Sequence, residues 1–133
     1  TYARVYVPAG AELIRVIGAM KWDRTIEPGT PTIWQELGSS VFGAFISIEP
    51  GVTKTLSFVY KLSPKVAASI QKGEYALTIP KQLGTVAHGL TLDLDFGTNI
   101  KAATPAEEQS KWGNSQYTLN TDLRVDRYFT TKF

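Results

Sequence analysis

The sequence has no cysteine, one histidine and one methionine among 133 residues. Without thiols there is no disulfide framework, no cysteine nucleophile and no zinc site built on Cys/His sets. Excess charge is also lacking. Fourteen basic residues against twelve acidic ones leave a net +2, which is not the footprint of a nucleic-acid-binding domain. No apolar run nears the ~20 residues of a membrane-spanning helix, so no direct membrane insertion by this stretch is expected. The eleven glycines sit singly at turn-like positions, which leaves no loop to cradle a phosphate, and no G-x-S-x-G nucleophile turn occurs. Lys61, Lys65, Lys72 and Lys81 are spread out rather than clustered. No cofactor is implied.

What is present is a 43% apolar chain with balanced charge, too hydrophobic for a disordered segment. Its length suits one ordinary domain burying roughly two-thirds of its unfolded surface. The chain enters a strand-like pattern at Tyr2 and ends in another at Phe133, so the expectation is a domain excised from a longer protein.

The dominant hydrophobic period is two, the period of a half-buried strand. Leu90, Leu92, Leu94 and Phe96 alternate with Thr91, Asp93 and Asp95. Val52 to Leu62 alternates in the same way, with Leu56, Phe58, Tyr60 and Leu62 on the apolar side. The C-terminal stretch places Leu123, Val125, Phe129 and Phe133 together against Asp122, Arg124, Asp126, Tyr128 and Lys132. Tyr75, Leu77 and Ile79 alternate up to Pro80, which cannot donate to a ladder and belongs at a strand end. Ala3, Val5 and Val7 form a first strand and Leu13 to Ile17 a second. Val41 to Ile48 is apolar on both sides and reads as a strand covered on both faces.

Pro50-Gly51 reads as a tight hairpin turn between strong strands. Helix is scarce. Thr104-Pro105-Ala106-Glu107 has the makings of one capped turn before Trp112-Gly113, and Ser63-Pro64 opens a short helix that Gly73 ends. Ala19 to Ser40, with Pro28, Gly29, Pro31 and Gly38, is expected to be the least ordered part. Together these features predict an all-β chain: an immunoglobulin-like antiparallel β-sandwich of seven to nine strands, residues 1–133 forming a single domain.

Few residues are candidates for chemistry. Asp93 and Asp95 project from one strand face about 7 Å apart, a spacing open to paired carboxylates or, with Asn99, to calcium. The same positions are simply where an amphipathic strand puts polar groups. Asp122, Arg124 and Asp126 read as cross-strand ion pairing. His88 lies in a loop without a nucleophile and acid in sequence context, so it is not expected to be catalytic. Trp22, Trp34 and Trp112 fall outside the strong strand patterns. Loop indoles either plug the ends of a sandwich or stack on a sugar or partner.

Five stretches taken together resemble a known family: Tyr2-Ala-Arg-Val-Tyr-Val-Pro-Ala-Gly-Ala-Glu-Leu13, Val41-Phe-Gly-Ala-Phe45, Pro50-Gly-Val-Thr-Lys-Thr-Leu56, Leu77-Thr-Ile-Pro-Lys-Gln-Leu-Gly-Thr85 and Asp122-Leu-Arg-Val-Asp-Arg127. They are similar to the C-terminal β-domain of a bacterial membrane-anchored domain-of-unknown-function family whose central domain carries an E-L-R-P-T-G-G-F motif. The sequence departs from that family at Ile79-Pro80. The resemblance implies an extracytoplasmic, cell-envelope location and carries no catalytic residue. The expected function is therefore a non-catalytic spacer, docking or assembly module, with other domains of the parent chain or envelope proteins as partners. The alternative is a carbohydrate-binding module using Trp22, Trp34 and Trp112 on glycan, and a weaker one is an acid-pair hydrolase.

Overall fold

The computed structural model describes residues 1–22 and 27–133. Among the described residues the chain is all-β, with ten strands where seven to nine were expected, one short α-helix, and antiparallel pairing in every sheet. It divides into two compact units, Thr1–Ala67 and Ala68–Phe133.

In the first unit, β1 (Tyr2–Pro8), β4 (Ser39–Phe45) and β3 (Thr32–Glu36) form a sheet in the order β1-β4-β3. β2 (Glu12–Ile17) pairs with β5 (Ser57–Lys61) in a second sheet, with an irregularity in register between Leu13 and Arg15. The two layers share one apolar cluster. Val7 and Phe42, with Val5, come from the first sheet and meet Leu13, Phe58 and Tyr60 from the second, with Ala11 between. Phe42 is fully buried and its ring lies 5.8 Å from that of Tyr60. Such a layer pair is how a sheet with one apolar face becomes stable.

The second unit repeats the plan with a different connectivity. β6 (Glu74–Ile79), β10 (Arg127–Lys132) and β8 (Ala102–Thr104) form one sheet in the order β6-β10-β8, and β7 (Gly89–Asp95) pairs with β9 (Gln116–Asp122) in another. Leu92, Tyr117 and Phe129 centre its core, joined by Leu77, Ile79, Leu90, Leu94 and Leu119 among others. Tyr117 is fully buried, and its hydroxyl donates to the Pro105 carbonyl at 2.8 Å. The helix α1 (Pro64–Gln71) starts where Ser63 Oγ accepts the Val66 N–H, and the chain turns out of it at Gly73 in the left-handed region.

Several expectations are corrected. Ala19–Ser40 holds the strand β3, while its residues 23–26 lie outside those described. A turn does occur at Pro50-Gly51, closed by Val52 N–H to Glu49 C=O, but it does not make a hairpin, because β4 and β5 belong to different sheets. The stretch after Asp122 is not one strand. It breaks into a turn, leaving Val125 exposed, and β10 begins at Arg127. No helix forms at Thr104–Glu107, where the Glu107 carboxylate instead accepts the Thr118 N–H at 2.7 Å; a 3-10 turn follows at Gln109–Lys111. β4, by contrast, is covered on both faces, with its residues from Ser40 to Ala44 buried, but it ends at Phe45 and leaves Ile48, expected within it, exposed.

Candidate functional site

Residues directly opposite one another in an antiparallel ladder share a face. Pairing therefore sets Tyr2, Arg4 and Tyr6 of β1 beside Phe45, Gly43 and Val41 of β4. On the other side of β4, Thr32, Trp34 and Glu36 of β3 stand beside Gly43, Val41 and Ser39. The core residues Val5, Val7 and Phe42 occupy the opposite face, so this is the outward face of the first sheet.

Its flanking side chains are long and its central ones are short. The long ones consequently lie across β4 like rungs. The Tyr2 hydroxyl is hydrogen-bonded to Thr32 Oγ1. The Arg4 guanidinium stands 6.0 Å from the Tyr2 ring centroid and 5.7 Å from that of Trp34, cation–π distances on both sides. Tyr6 Oη donates to Glu36 Oε2 at 3.1 Å, and Trp34 Nε1 donates to the same oxygen at 3.0 Å. These rungs explain why Val41 faces outward yet is fully buried, while Tyr2 and Tyr6 remain 42% and 48% exposed. Gly43 is needed for space: a Cβ there would run into the Tyr2 hydroxyl and sit 2.9 Å from Thr32 Oγ1.

The bond from Trp34, then that from Tyr6, holds the Glu36 carboxyl below the usual carboxylate range, outweighing desolvation, with Arg4 adding a smaller pull. Glu36 is thus anionic at neutral pH, near the Arg4 guanidinium. The face carries one charge of each sign.

Beyond Phe45 the same face ends in a cleft of about 350 Å³ bounded by Tyr2, Met20, Trp22, Gly29 and Phe45. Trp22 meets the Phe45 ring edge-on at 4.7 Å, and Lys21 pairs with Glu27 nearby. The second unit has its own cleft of about 420 Å³, lined by Ile100, Ala103, Ala106, Glu107 and Trp112 among others. There the Trp112 indole is held by Nε1–H to the Glu107 carbonyl at 3.0 Å.

The structure places the three tryptophans differently. Trp22 is 76% and Trp112 62% exposed, and neither plugs a core. Trp34 is half-buried and lies on β3, not in a loop, because its neighbours pair with Ser39–Gly43. Trp22 and Trp34 border one sheet face of the first unit; Trp112 belongs to the second. Sequence reasoning missed Tyr2, Arg4, Tyr6 and Glu36. The signal was there in the alternation of Tyr2-Arg4-Tyr6 with Ala3-Val5-Val7, and in Thr32-Trp34-Glu36.

The acidic candidates are occupied structurally. Asp95 Oδ1 accepts the Gly97 N–H and the Ser115 hydroxyl, each at 2.9 Å, and these bonds, in that order, lower its carboxyl. Asp122 is lowered first by the Arg124 N–H and then by Arg127, whose guanidinium lies 2.8 Å away, with the Arg124 side chain at 3.2 Å. This ion pairing closes the β9–β10 turn, between strands of different sheets and not between neighbours in one ladder. Asp126 Oδ1 accepts the Lys81 N–H at 2.7 Å. Asp93 is exposed on the outward side of β7, and His88 is an exposed loop residue whose carbonyl accepts the Leu123 N–H. Among the described residues no three His, Asp or Glu side chains group so as to hold a metal ion.

Comparison with protein-family models, with curated proteins and with solved structures finds no match.

Proposed function

We propose that this chain is an immunoglobulin-like, non-catalytic binding module of a bacterial cell-envelope protein, displayed outside the membrane as a docking or assembly element. The observation that carries this reading is the pair of exposed indoles, Trp22 and Trp112, each at the lip of a cleft. A large apolar ring left in water beside a cavity is the residue type that dominates binding surfaces. Resemblance to the membrane-anchored domain-of-unknown-function family supports the extracytoplasmic placement. Its partners would be other domains of the parent chain or envelope proteins.

A second reading, glycan recognition, is favoured by the same clefts, since an indole face suits a sugar ring. Co-sedimentation with isolated peptidoglycan sacculi and with envelope membranes tests both. The intact chain should sediment with one of them, and Trp22→Ala or Trp112→Ala should weaken that retention while leaving the circular dichroism unchanged. Retention on neither, or retention that both variants keep in full, contradicts the proposal.

A further inference from the structure

The rung-covered face of the β1-β4-β3 sheet offers more than the two clefts do. We propose that Tyr2, Arg4, Tyr6, Trp34 and Glu36 form a flat binding platform for a neutral, extended, β-1,4-linked polysaccharide chain. The inference rests on the binding-module reading of the chain but uses different residues from those that carry it.

Shape argues first. Side chains that lie across a central strand of Ser39, Val41 and Gly43 cover it and leave Tyr2 and Tyr6 about half exposed, with Arg4 set between the Tyr2 and Trp34 rings. Three strands ~4.8 Å apart and five residues of ~3.4 Å rise give the face an area of about 200 Å². That is far below the ~800 Å² per partner of a stable protein interface, so the platform fits a chain ligand better than a folded protein. A β-1,4-linked glycan is a flat ribbon whose C–H faces match aromatic rings, whereas an α-linked chain coils away from a plane.

Polarity argues next. Both donors to Glu36 converge on Oε2, and among the described residues Oε1 receives none, so it can accept from a sugar hydroxyl. Arg4 is held in place by two rings and retains N–H groups that can donate to sugar oxygens. The charges offset each other. The face therefore offers no net charge to attract an anionic or a cationic polymer, and a neutral ligand needs none. The donors to Glu36 are part of the scaffold, so the carboxylate is already oriented before ligand arrives.

The test uses a Trp22→Phe/Trp112→Phe protein, in which Trp34 is the only fluorophore of its type, titrated with chitohexaose and cellohexaose, with maltohexaose as the α-linked control. The proposal expects a saturable change in Trp34 emission with at least one β-1,4 hexamer, at least about tenfold weaker with maltohexaose. Arg4→Ala and Glu36→Gln should each weaken binding about fivefold or more, the size of one lost hydrogen bond or cation contact. No response to either β-1,4 hexamer up to ~10 mM, an equal response to maltohexaose, or variants that bind undiminished would each overturn it. Affinity electrophoresis of the wild-type chain in gels containing hydroxyethylcellulose replaces no tryptophan. Where cellohexaose is a hexamer that binds, retardation should appear there and fall in Glu36→Gln, and its absence then counts against the platform. Because Trp22 and Trp112 are absent from the titrated protein, failure here is separate from failure of the docking reading.

Discussion

Replacing Tyr117 by phenylalanine isolates a single buried hydroxyl. Tyr117 is fully buried among Leu92, Phe129 and their neighbours, and its hydroxyl donates to the Pro105 carbonyl at 2.8 Å. Tyr117→Phe keeps the ring and loses that bond, so at pH 7 the variant should be less stable by about 1 kcal/mol. The more revealing effect is its pH dependence. Burial, and behind it the Glu107 charge, raises the Tyr117 phenol above its ordinary value. A group raised on folding contributes stability that is present below its unfolded pKa and lost as pH climbs. The unfolded tyrosine ionises near pH ~10, and by pH ~11 that ionisation favours the unfolded wild type by up to about 1.4 kcal/mol. The phenylalanine variant has no such term, and the other tyrosines cancel between the two proteins. Urea unfolding at pH 7, 9, 10 and 11 should therefore show the wild-type advantage shrinking to zero or reversing. A difference that stays constant from pH 7 to 11 would refute the reasoning.

In the first unit, Phe42→Ala removes a fully buried ring at the centre of the core and should cost about 3–5 kcal/mol, read as a lower urea midpoint. Thr131 buries a hydroxyl that has no partner among the described residues, so Thr131→Val should raise stability by about 1 kcal/mol in the same assay. Asp122 is lowered on folding by the Arg124 N–H and by Arg127; that contribution is present above the unfolded carboxylate pKa and lost as pH falls through the lower folded one. Thermal scans of Asp122→Asn should therefore show a flatter acid limb than the wild type below about pH 4.

The alternation over residues 75–79 and 89–95 was legible from spacing alone, whereas that over 52–62 becomes a strand only at Ser57–Lys61. Leu90, Leu92 and Leu94 turn inward on β7 as their spacing requires, and Tyr75, Leu77 and Ile79 do the same on β6. β3 was not legible, because on this edge strand the bulky Trp34 faces outward and the exposed Ile33 contributes little to the core. β9 hid its period behind Thr118, Asn120 and Thr121, and its decisive inward residue is a tyrosine. Leu123 and Val125 fell in phase with Phe129 by coincidence, while Arg127 clamps Asp122 and closes a turn between them. The exposed indoles could be named by residue type. The platform could not, because it exists only when β1 and β3 flank β4, and β1 meets β4 across some forty residues of chain. Local pattern carries no information about such pairing.

That pairing is the claim on which the platform and the first core both rest, since a one-residue slip would send every side chain to the wrong face. The cysteine-free sequence makes it directly testable. Ala3 and Ala44 are direct cross-strand partners, within the ~4.5–5.5 Å Cα separation at which a disulfide can form. Under mild oxidation Ala3→Cys/Ala44→Cys should close a disulfide in the folded protein, while Ala3→Cys/Phe45→Cys, whose side chains point to opposite faces, should stay reduced. Closure in the second pair and none in the first would contradict the register.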